Sequence, residues 1–172
     1  MTTTALSRPS ADAIWINAFI AVGSLIFVCA LATSAYFEPQ WRTLHFFQAL
    51  IYVAIVVLAR RHSAWGYGAG FVVPAFWNAL LLFRSPVGAM GMQAVVHGQM
   101  PDPGVVMQLF AAAGHFLIII ACLVGFARTR PAGRQWGAFA GGGILALAYL
   151  LVMAFTIGPP EAAQHIKQAL GF

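Results

Sequence analysis

Two histidines seventy positions apart, His45 and His115, are each followed by phenylalanine, and each lies inside a long apolar stretch. Neutral imidazole is a common axial ligand of haem iron, and helical bundles hold such groups between facing helices. A b-type haem needs two such rings on different helices at one depth. At about 1.5 Å per helical residue, His45 stands about 22 Å above Arg60, and His115 about 20 Å above Arg128. Asn78 and Tyr149 reach the same layer, each about 20 Å above a tryptophan, Trp65 and Trp136. Trp77 lies beside them, and Gln48 shares a helix face with His45 one turn below it. Arg42, one turn outward, is placed to meet a propionate, and Gly114 would relieve crowding by a flat ring.

Polar side chains within a membrane span are costly and default to functional roles. The expectation is therefore a cofactor layer. His45 and His115 would be iron ligands, and Asn78, Tyr149, Gln48 and Arg42 would complete the site. A quinone held by the same residues is the second form of this expectation. The competing reading is a hydrogen-bonded layer that fixes helix register.

A second group carries softer ligands. Four of the six methionines fall between Met90 and Met107. Met90, Met92, His97 and Met100 offer thioether and imidazole groups suited to Cu(I). Against this stands methionine as a gap filler in a loop half-buried at the membrane surface. His62 and His165 read as solvated. The carboxylates Asp12, Glu38, Asp102 and Glu161 all sit at or beyond helix ends, which argues against a carboxylate-driven proton pump. No hydrolase, zinc-protease or P-loop motif is present.

The elements that position these residues follow from composition. The chain is 61% hydrophobic and 8% charged, against about 45–50% and about 25% in ordinary globular proteins. Its apolar residues come in blocks of the length that crosses a bilayer. Five spans are expected, at 13–37, 39–59, 64–83, 103–127 and 136–157, in one all-α membrane domain covering 1–172. Pro39 and Pro103 are good first-turn residues, Asp102 is the expected N-cap of the fourth span, and 161–172 is expected to form an amphipathic surface helix. Ala30-Leu31-Ala32 also resembles a cleavage site, so removal of span 1 as a signal peptide is the competing reading there. Cys29 and Cys122 lie in different spans without a C-x-x-C pair and read as small hydrophobes.

One face collects Arg8, Arg60, Arg61, Arg128, Arg130 and Arg134, and the other Arg42, Arg84 and Lys167. The positive-inside rule then places the N-terminus in the cytoplasm and the C-terminus outside, in a bacterial inner membrane. The net charge of +5 is spread over short loops, without an aromatic-laced basic patch, which excludes nucleic-acid binding.

The second and third spans resemble the fourth and fifth. His45-Phe46 aligns with His115-Phe116 at an offset of 70, and Trp65-Gly66 aligns with Trp136-Gly137 at 71. Both later spans carry G-x-x-x-G, as Gly66/Gly70 and Gly137/Gly141, which points to contact between spans 3 and 5. A parallel tandem repeat would form a four-helix core with span 1 outside it. Three functions fit this frame. The first is a redox subunit holding haem b or a quinone. The second is a structural or assembly subunit among other membrane subunits. The third is a small-solute or metal transporter.

Overall fold

The computed structural model describes residues 11–83, 90, 93–94, 96–98, 103–129 and 131–171. The described residues form α1 (Ala11–Phe37), α2 (Arg42–Arg60), α3 (Ala64–Phe83), α4 (Pro103–Arg128), α5 (Gly133–Thr156) and α6 (Pro160–Leu170), with a 3₁₀ turn at Pro39–Trp41 and no strand. Among them, four helical segments are long and apolar enough to cross a membrane: Ala13–Phe37, Pro39–Arg60, Pro103–Arg128 and Gly133–Thr156. This is the architecture of a multi-pass membrane protein. The third expected span, α3, is a 20-residue helix that contains Pro74 and is not in that set.

Local chemistry sets the helix ends. Pro39 opens its turn where a missing N–H costs nothing. Arg42 Nε donates to the Ala35 carbonyl at 3.0 Å, satisfying an acceptor in the last turn of α1. α5 starts three residues earlier than expected, because Gln135 Oε1 accepts the Ala132 N–H at 3.1 Å. α2 ends in a Schellman turn: Ser63 N–H donates to the Leu58 carbonyl and His62 N–H to that of Ala59. His62 holds the left-handed position there, with φ 52°, which glycine normally fills.

α1 packs along α4 and α2, and α3 along α5, α4 and α2. The bundle is thus a row α1–α4–α3–α5, with α2 lying across α1 and α3. Two glycine contacts bring backbones together. Gly23 of α1 and Gly114 of α4 each lie against the other's carbonyl, where a Cβ would come within 2.6–2.8 Å. In the α3–α5 seam, Gly68 faces the Phe139 carbonyl, and Gly142 faces the Trp65 backbone. Small residues at such crossings allow the close packing that drives association in lipid.

Two expectations are corrected. The first span is not outside the core: Ile20, Phe27 and Leu31 of α1 are among its buried residues, because the Gly23/Gly114 contact draws α1 in. The G-x-x-x-G glycines also do not make the closest α3–α5 contact. Gly66 faces α2, against Leu58 and Ala59, Gly70 lies between Cys122 of α4 and Ile55 of α2, Gly137 has nothing within 4 Å, and only Gly141 makes an α3–α5 contact, under the Trp65 ring.

The amphipathic helix α6 docks on the bundle. Its Ala162 and Ile166 are buried with Leu44 of α2 and Ala154 of α5, forming a second small core. Ile166→Ala should therefore destabilise the protein by about 2–3 kcal/mol, measurable by thermal unfolding in detergent. An unchanged midpoint would mean that α6 is not held by this core.

Candidate functional site

His115 is 2% exposed, and both of its ring nitrogens are engaged. Nδ1 lies 2.9 Å from Asn78 Oδ1 of α3, and Nε2 lies 2.8 Å from Tyr52 Oη of α2. The protonation pattern follows. Asn78 Nδ2 donates to the Ala112 carbonyl at 3.3 Å, so its Oδ1 must accept. His115 then carries its proton on Nδ1, and its Nε2 lone pair accepts the Tyr52 hydroxyl hydrogen. The chain Tyr52 → His115 → Asn78 → Ala112 is neutral and complete. Phe27 of α1 closes it, with ring centroids 4.1 Å from His115 and 4.4 Å from Tyr52. One hydrogen-bonded unit thus ties α2, α3 and α4 together, with α1 stacked on it.

His45 lies elsewhere. It stacks on Trp41 at 5.7 Å, and the backbone carbonyl of Leu31 in α1 is within reach of its ring. Its Nδ1 is buried without a partner. Gln48 is 4% exposed, with Oε1 likewise unpartnered. So is Nε1 of Trp77 on α3. The antiparallel register between α2 and α3 sets Gly66 beside Ala59 and Gly70 beside Ile55, and the same register continued outward puts Trp77 at the level of Gln48. Tyr149 Oη donates to the Phe47 carbonyl at 3.4 Å, tying α5 to the same stretch of α2.

The histidine layer is therefore split into a closed half, its hydrogen bonds complete, and an open half, in the sense that three buried polar atoms lack partners. His115 and Asn78, expected together, are together. His45 does not face His115 as a second axial ligand, and His115 has no lone pair free for iron, so these residues do not fit a bis-histidine haem. Arg42 serves the end of α1, and Gly114 faces Gly23 and Ile26. Tyr52 and Phe27 were missed by the depth argument. The signal for Tyr52 was its place on one face of α2 with His45 and Gln48.

Of the methionine group, Met90 and His97 are exposed, while Met92 and Met100 lie outside the described residues. Asp102, Arg8, Arg84, Arg130 and the side chain of His165 also lie outside them. Among the described residues, no three His, Cys, Asp or Glu side chains cluster as a metal site. Compared with protein-family models, curated proteins and solved structures, the chain matches none.

Proposed function

We propose that the protein is a small multi-pass membrane subunit that binds a quinol-type ligand at the open half of the layer, against His45, Gln48 and Trp77. The observation that carries this reading is the set of three buried, unpartnered polar atoms on α2 and α3. Such groups cost several kcal/mol in an apolar medium, on the order of 2–7 each, so an occupant that completes them is favoured. Their chemistry is specific. With its other nitrogen turned to the Leu31 carbonyl, His45 offers Nδ1 as an acceptor. Gln48 Oε1 is a second acceptor, and Trp77 Nε1–H is a donor. A ring hydroxyl, which donates one hydrogen and accepts others, matches this set. A bound quinol would supply an electron and proton carrier soluble in the bilayer. This chain's residues would orient its ring, with Trp41 stacked behind His45.

The reading includes α3 as a fifth span, with the N-terminus cytoplasmic and the C-terminus outside, in a bacterial inner membrane. The parallel α3–α5 seam supports both α3 and the tandem repeat. Gly68 meets Phe139 and Val72 meets Gly143, and both pairs are related by the repeat offset of 71. Equivalent residues face each other in this way across a local twofold axis. One specific observation favours the structural-subunit alternative: the Tyr52–His115–Asn78 chain is complete without any ligand.

The test is solvent extraction of protein purified in mild detergent, with quinone quantified by chromatography. About one molecule per chain is expected, falling several-fold in Gln48→Leu and Trp77→Phe and unchanged in Tyr52→Phe. No extracted quinone, together with a Gln48→Leu protein more stable than the parent, would favour the structural reading. A haem absorption band lost in both His45→Ala and His115→Ala would overturn the proposal in favour of haem.

A further inference from the structure

The arginine-rich end of the bundle carries two adjoining cavities that the quinol site does not use. A cleft of about 320 Å³ is lined by His62, Tyr67, Gly125, Arg128 and Thr129, with Ala13 and Ile16 of α1. A groove of about 330 Å³ runs on from it along α1 and α4, between Trp15, Ile16, Phe19, Ile120 and Val124. Ile16 and Arg128 line both. The first cavity is mixed in polarity and the second almost wholly apolar, and they share a basic side chain where they meet.

The geometry points to a binding site for one anionic phospholipid, its phosphate in the cleft and an acyl chain along the groove. Charge complementarity supports this occupant. By sequence this end carries Arg8, Arg60, Arg61, Arg128, Arg130 and Arg134 against the single acid Asp12. Basic pockets between membrane helices are recognised sites for anionic headgroups. Trp15, 64% exposed at the groove, suits the interfacial zone.

The cleft is also built with local strain. His62 holds a left-handed backbone position, with φ 52°, which a side chain disfavours and glycine tolerates. Its Nδ1 lies 3.2 Å from Tyr67 Oη, itself packed against Gly125. That contact fixes the imidazole at the cleft wall, with Nε2 available to a phosphate oxygen. Gly125 keeps the wall open, since a Cβ there would fall 2.7 Å from the Tyr67 ring.

The experiment is native mass spectrometry of the full chain, delipidated in neutral detergent and offered equal phosphatidylglycerol and phosphatidylcholine. Retention should favour phosphatidylglycerol about fivefold, the worth of one basic contact near a headgroup. Arg128→Gln should bring the ratio near one. His62→Gly should lower it while leaving the protein at least as stable, because glycine relieves the backbone strain. Val124→Trp, which fills the groove, should reduce retention of both lipids. Arg134→Gln, outside the cleft, should keep the parent ratio, and an equal effect of Arg134→Gln and Arg128→Gln would replace a site by general surface attraction. Inorganic phosphate that binds as tightly as the lipid would reject the lipid assignment. No preference in the parent, with one appearing on removal of residues 2–10, would give the cleft to the chain's own N-terminal segment and overturn the proposal.

Discussion

Gly68→Ala should destabilise the protein by about 3 kcal/mol, the upper part of the usual range for overpacking. The added methyl would collide with the Phe139 carbonyl, and backbone on a packed helix cannot turn aside as a side chain can. The seam between α3 and α5 would have to open along its length. Alanine is the better helix former by about 1 kcal/mol, so the observed loss already includes that gain. Gly137→Ala is the control, because a Cβ there meets nothing within 4 Å. It should leave stability unchanged or raise it by up to about 1 kcal/mol. Denaturation in a single detergent would compare the two. Equal effects would mean that the seam is not where the backbones meet.

His115→Ala should cost about 2–4 kcal/mol. It leaves Asn78 Oδ1 and the Tyr52 hydroxyl without partners in a buried site, each at about 1–3 kcal/mol, and opens a cavity beneath Phe27. The hydrogen bonds themselves are worth less. A double-mutant cycle with Tyr52→Phe and His115→Ala should return a coupling of about 0.6–1.7 kcal/mol, as is usual between membrane helices. Tyr52→Phe alone should be the mildest change, since it removes a donor and leaves only one acceptor free. A His115→Ala protein as stable as the parent would contradict the closed network.

The helices were legible because hydropathy blocks and flanking arginines are strong signals, and the expected ends of α1, α3 and α4 agree with the observed ones within two residues. Asn78 and His115 were legible as a pair, because depth along a helix is simple arithmetic. Tyr52 was not. It lies only eight residues above Arg60, about 12 Å along the axis, and its long side chain spans the difference to His115. Depth says nothing of which way a helix faces, so it also suggested that His45 and His115 meet. The facing is set by glycine contacts, and the closest backbone approaches between helices are at Gly23, Gly68, Gly114 and Gly142, outside the G-x-x-x-G pairs. The place of α1 in the core was hidden for the same reason, because Gly23 reads as one small residue in a uniformly apolar helix.

The most direct test of the division between a closed and an open histidine is nitrogen-15 NMR of histidine-labelled protein in bilayers, with and without a short-chain quinol. His115 is expected as the neutral tautomer protonated on Nδ1, with a spectrum unaffected by the ligand. His45 is expected to shift as its Nδ1 gains a hydrogen-bond donor. A His115 signal that moves with added quinol while that of His45 stays fixed would contradict the account.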